Sequence, residues 1–138
     1  MTDLQIAKAN LNGHSICLCK DGKFFTDDGR GISPMMNYLE EKRELRGFSV
    51  ADVIVGKAAA MLFVKAGIAE VYGEVMSVSA RDYLSKHNIS CSFGTLTERI
   101  INRKGDGICP MEQAVAETND CEAGYLALKN RLEELKQH

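Results

Sequence analysis

A three-layer α/β/α domain with a mixed sheet is the fold class that the sequence predicts, and three observations carry it. Residues 50–64 are apolar or small except at Asp52 and Lys57 and contain no proline, which reads as a helix buried on most of its circumference. Residues 69–76 alternate and are rich in β-branched side chains, so they read as a strand, and a second helix and strand follow at 79–86 and 89–93. Asp21-Gly22 between two short runs signals a hairpin, because both central residues of such a turn need positive φ. Helix, strand, helix, strand across 49–93 with short connections requires parallel strands joined by a right-handed crossover. The hairpin adds an antiparallel edge.

In chain order, residues 3–10 predict a short amphipathic helix with Leu4, Ile6 and Ala7 on its apolar side, ended by Asn12-Gly13. Residues 15–20 and 23–26 are the hairpin strands, and 27–31 form a glycine-containing loop, a plain turn or an anion cradle. Ser33-Pro34 begins the next helix, which packs through Met35, Met36, Tyr38, Leu39 and Leu45, while the EEKRE run at 40–44 is solvated. Ser49 and Asp52 form a capping pattern that starts the apolar helix near Val50, and Gly67 ends it in the left-handed region. Leu96, Ile100 and Ile101 suggest a short amphipathic turn before the polar loop 102–107. Pro110 suits a first helical position, which places Cys109 at an N-cap and Glu112 at N3. Asn119-Asp120 breaks that helix, and 121–137 form the last one, with Tyr125, Leu128, Leu132 and Leu135 on one side.

Composition narrows the class. The chain of 138 residues suits a single domain, 1–138, able to bury a core without staples. A net charge of −2 with interspersed signs argues against a nucleic-acid surface. No apolar run has the length of a membrane span, and the first residues lack the pattern of a signal peptide, so a cytoplasmic protein is expected. Five scattered cysteines and three histidines show no metal-ligand spacing, and free thiols in a reducing compartment are the default.

Two places carry candidate chemistry. Lys57 stands in the apolar helix beside Gly56, where a glycine suggests close packing, and its ammonium must reach water, meet an anion or lose its proton. It is either a lysine snorkelling at the rim of the core or the partner of an anion in a cleft. Cys109 at a helix start would feel the positive helix end, which favours thiolate, with Glu112 close by; both could equally be plain caps.

GKAAAMLFVKAG at 56–67, Ile101-Asn102-Arg103 and Cys109-Pro110-Met111-Glu112, in this element order, resemble the small prokaryotic family known as domain of unknown function 1893, and more broadly the cytidine deaminase-like fold. The resemblance covers nearly the whole chain. Zinc deaminases of that fold hold the metal through a histidine or cysteine opening the central helix and two cysteines of a P-C-x-x-C motif. A glutamate two residues after the first ligand moves protons. Here Lys57-Ala58-Ala59 looks like the counterpart of H-x-E, and Cys109-Pro110-Met111-Glu112 reverses cysteine and proline and has no second thiol three residues on. The resemblance therefore implies a degenerate zinc site, with no metal, no cofactor and no zinc-dependent deamination.

Lys57 and Glu112 could then form a structural ion pair between two helices, or Lys57 could bind a phosphate or carboxylate. On the binding reading, the protein takes up a nucleotide-like or other small anionic metabolite, with Lys57, Asn102, Arg103, Cys109 and Glu112 as contacts. On the alternative, it is a non-metal enzyme with Cys109 or Lys57 as nucleophile and Glu112 as proton carrier. The residue types do not separate a binder from an enzyme. A small-molecule partner is expected, with no nucleic acid and no membrane, and Met35, Met36 and Tyr38 would serve a homo-oligomer if they form an interface.

Overall fold

A computed structural model describes residues 1–101, 105 and 107–136. Five strands form one sheet in the order β2-β1-β3-β4-β5. The hairpin strands β1 (Ile16–Lys20) and β2 (Lys23–Asp27) are antiparallel, and β1 also runs antiparallel to β3 (Ser49–Val55). From β3 the sheet continues in parallel through β4 (Glu70–Ser77) and β5 (Ser90–Thr97). On one face lies α1 (Asp3–Ala9), whose Ala7 joins Leu11, Cys17, Cys19 and Ala51 in a small buried cluster. The main core covers the other face, where α2 (Ser33–Glu40), α3 (Lys57–Ala66), α4 (Val78–Lys86), α5 (Pro110–Val115) and α6 (Cys121–Lys136) all contribute buried side chains. This is the expected three-layer arrangement with a mixed sheet. Among the described residues no helix is long and apolar enough to cross a membrane.

Residues 50–64 are not one helix, as the sequence suggested, but the strand β3, a break at Gly56 and the ten-residue helix α3. A central strand covered on both faces carries a continuous apolar run, and so does a buried helix, so periodicity does not separate them. Four β-branched residues, Val50, Val53, Ile54 and Val55, point to the strand, and Ala58 to Phe63 to the helix. Ser49 and Asp52 therefore cap nothing. Phe63, Leu62 and Met61 are fully buried at the centre of the main core, each contributing about 2–3 kcal/mol from the apolar area removed from water. The sheet gains a third parallel strand, and β5 extends to Thr97, so Leu96 belongs to a strand and not to a helical turn.

Other sequence signals sit where they were expected. Asp21 and Gly22 take φ of 53° and 80°, as the tight hairpin turn demands. Gly67 closes α3 at φ 78°. Met35, Met36, Tyr38 and Leu45 are buried, so they belong to the core of the chain itself. Leu135, placed on the packing side of the last helix, is 48% exposed.

The first helix is tied to the hairpin turn. Thr2 and Gln5 form a reciprocal capping box on α1, which fixes Asp3 in its first turn. From there Asp3 Oδ2 accepts the Asp21 amide at 3.0 Å and Oδ1 accepts the Gly22 amide at 2.9 Å. The Gly22 and Asp21 amides hold the Asp3 carboxyl below its usual pKa. A group with a depressed folded pKa stabilises the fold above its unfolded pKa and ceases to do so as pH falls through the folded value. Asp3→Asn is therefore expected to lower the thermal midpoint at pH 6 and to converge with the parent near pH 2. An equal offset at both pH values would show that the carboxylate charge contributes nothing.

In β3 and β4 the alternation of faces shifts by one residue. Val50 and Val55 lie five positions apart yet both point into the main core, as do Val71 and Met76. At the shift sits Asp52, 8% exposed, opposite Gly73 on β4. Its Oδ1 accepts the Ile54 amide at 3.4 Å. Burial pushes the Asp52 pKa up to about 8, against the smaller opposing pull of the Ile54 and Val53 amides.

Candidate functional site

The parallel strands β3 and β4 end where α3 and α4 begin, and helix starts leave backbone amides without intrahelical acceptors. Gly56, the N-cap of α3, has no side chain to accept them. Glu112 takes that role from another helix: its Oε1 accepts the Lys57 amide and its Oε2 the Ala58 amide, both at 2.8 Å. The negative carboxylate also meets the positive end of α3. Gly56 is required by this approach, because a Cβ there would lie 2.5 Å from Oε1 and 2.6 Å from Cδ of Glu112. The close packing expected at Gly56 is thus against a carboxylate.

Glu112 is placed by the short helix α5, at N3 as expected, with Met111 and Val115 buried on either side. The Cys109 amide donates to the Ile100 carbonyl, and Arg131 on α6 donates to the Pro110 carbonyl at 3.1 Å. Cys109 is the N-cap of α5, as the sequence indicated, but its thiol makes no capping hydrogen bond.

Lys57 and Glu112 are brought together in a form the sequence did not suggest. Glu112 binds the backbone of Lys57, while the Lys57 ammonium turns to the far end of α5. There Nζ donates to the Ala116 carbonyl and to Asn119 Oδ1, both at 3.3 Å. The expected ion pair is replaced by a clasp, in which α5 gives a carboxylate to the start of α3 and receives an ammonium from it. Asn119 is held in turn by Tyr83 of α4, whose hydroxyl donates to the Asn119 carbonyl at 2.8 Å. Burial, with lesser contributions from Cys121 and Asp120, pushes the Tyr83 pKa up to about 12, so it remains a donor.

Beside this clasp is an open pocket of about 240 Å³ lined by Lys57, Ser79, Asp82, Tyr83, Lys86 and Asn119. It starts at the carboxyl ends of β3 and β4, where open α/β sheets bind ligands, and runs along one face of α4 to its last residue, Lys86. Asp82 is paired with Arg81 at 3.2 Å, whereas no ion pair among the described residues includes Lys57 or Lys86. Of the residues singled out in the sequence, only Lys57 lines this pocket. Cys109 and Glu112 are not part of its lining, and Asn102 and Arg103 fall outside the described residues. Ser79, Asp82, Tyr83 and Lys86 were missed, although their spacing of three, four and seven along 79–86 marks one helix face.

Comparison with known proteins gives a family and a fold. The model of the domain of unknown function DUF1893 matches residues 6–132. The crystal structure of a DUF1893 family protein from Thermotoga maritima superposes with a TM-score of 0.75 at 24% identity, covering 88% of this chain and 80% of that one. A dCMP deaminase from the cyanophage S-TIM5 is similar at a TM-score of 0.44 and 12% identity, over 57% of this chain and 78% of that one. A diaminohydroxyphosphoribosylaminopyrimidine deaminase/5-amino-6-(5-phosphoribosylamino)uracil reductase from Thermotoga maritima is similar at 0.43 and 18%, over 66% and 34%. No curated protein matches the sequence.

Proposed function

The chain belongs to the family of the domain of unknown function DUF1893, and from that premise we propose that it binds a small anionic, nucleotide-like metabolite at the Lys57 pocket without zinc-dependent deamination. The supporting observation is that two ammonium groups, Lys57 and Lys86, border one open pocket along α4 and neither enters an ion pair among the described residues. An anion held there would meet two charge-assisted donors, with the Ser79 hydroxyl beside them.

The donor set speaks against a zinc centre at the two helix starts. Lys57 presents an ammonium, Ala59 a methyl group, and Cys109 a single thiol. Both Glu112 oxygens are engaged by amides, whereas zinc asks for three or four thiolate, imidazole or carboxylate donors. Among the described residues no three such side chains gather. The same engagement of Glu112 weighs against its use as a proton carrier.

Titration of the protein with nucleoside mono-, di- and triphosphates, followed by calorimetry, tests the proposal. At least one phosphate is expected to bind, and the double variant Lys57→Gln/Lys86→Gln is expected to weaken it about ten-fold or more. Lys57→Gln keeps a side-chain N–H donor on a shorter arm, and its thermal midpoint, compared with that of the parent, checks that the fold is kept. Silence across the panel, or unchanged affinity in the double variant, would exclude the pocket as the site. Stoichiometric zinc in the purified protein would overturn the reading of the helix starts.

A further inference from the structure

We infer that the hairpin carries a second ligand site, one that takes a flat aromatic ring bearing an acidic group. The site is a pocket of about 330 Å³ lined by Lys20, Asp21, Lys23, Phe24, Phe25 and Phe48, beside the start of β3 and so at the opposite end of that strand from the Lys57 turn. Three features define its chemistry. Lys20 and Lys23 are directly opposed cross-strand partners, so their side chains leave the same face of the hairpin. Two like charges in that register destabilise a hairpin unless an anion lies between them. Neither lysine enters an ion pair among the described residues.

The apolar part is aromatic. Phe25 and Phe48 pack edge to face with centroids 6.0 Å apart and form the aromatic wall, whereas Phe24, paired with Cys19, leaves the opposite face of the hairpin. Cations already favour these rings: the Arg43 guanidinium lies 4.2 Å from the Phe25 centroid and Lys20 Nζ lies 5.9 Å from that of Phe48. Lys20 is steadied there by donating to the Arg46 carbonyl at 3.0 Å. The carboxylate in the lining is Asp21, whose backbone amide is bound by Asp3 at the tip of the turn. A ring against the phenylalanines with its acidic group between Lys20 and Lys23 satisfies both halves of the pocket. A bare anion leaves the rings wet, and a neutral ring leaves the ammonium pair unrelieved.

Four probes separate these demands. Adenosine monophosphate and indole-3-acetate join a ring to a phosphate and to a carboxylate, while adenosine and inorganic phosphate supply one half each. With amide chemical shifts as the readout, at least one ring-plus-acid probe is expected to shift residues 20–25 and 48. It is expected to bind about ten-fold tighter than either half. Which of the two binds identifies the acidic group. Lys23→Gln, at an exposed position outside the core, is expected to weaken that binding about ten-fold, and Lys57→Gln/Lys86→Gln to leave it unchanged. The inference fails if neither joined probe shifts those amides, if adenosine binds equally well, or if Lys23→Gln binds like the parent. Binding lost in the Lys57→Gln/Lys86→Gln variant and kept in Lys23→Gln would belong to the other pocket and equally refute it.

Discussion

Glu112→Ala is expected to destabilise the protein by roughly 2–4 kcal/mol, the cost of leaving the Lys57 and Ala58 amides without their acceptors at the start of a buried helix. Gly56→Ala should cost a comparable amount for a different reason, since the added methyl group meets the same carboxylate at 2.5–2.7 Å. The two losses have one source. In the Glu112→Ala background the methyl group at position 56 finds space, so the double variant should fall short of the sum by about 1–3 kcal/mol. Denaturant midpoints of the four proteins close this cycle. Additive losses would mean that Glu112 and Gly56 act independently, against the geometry described.

Asp52→Asn is expected to stabilise the protein at neutral pH while changing little near pH 4. The folded pKa of Asp52 is raised to about 8 by burial, far above the 3.8 of a free carboxyl, so the folded state holds a proton that the unfolded chain has released. Its contribution to stability is complete below the unfolded pKa and is lost as pH rises through the folded one. Between about pH 4 and pH 8 the parent should therefore become steadily less stable, by up to roughly 1.4 kcal/mol per pH unit from this group. Asparagine keeps an oxygen for the Ile54 amide and does not ionise. Its advantage at pH 7.5 should be of the order of a few kcal/mol. Unfolding curves at pH 4.5 and 7.5 measure it, and parallel behaviour of parent and variant would refute the buried acid.

Much of the fold was legible because its signals are local. Asp21-Gly22, Gly67 and the Cys109-Pro110 helix start each act through their own φ angles or neighbouring amides, and each was readable in a few letters. Where the choice depended on the whole sheet it was lost: Val50 to Val55 form a strand flanked by β1 and β4, and their β-branched residues, the one local sign of it, were outweighed by an apolar run that suits a buried helix as well. The site followed the same rule. Lys57, Glu112 and Gly56 stood out as residues, but their geometry depends on α5 docking across the start of α3. A lysine and a glutamate in sequence suggest an ion pair, whereas the backbone amides that bind Glu112 leave no trace in residue identity. The stripe of Ser79, Asp82, Tyr83 and Lys86 was present as spacing, and it reads as an ordinary wet helix face until Lys57 and Asn119 are seen beside it.

The acceptor for the Lys57 amide lies 55 positions downstream of it. On the ribosome, the sheet strands and all of α3 are therefore made before the group that completes that helix. A chain cut short before Glu112 contains the residues of every strand, yet the first amides of its central helix lack their acceptor. The order of synthesis makes α5 the bolt that closes the structure.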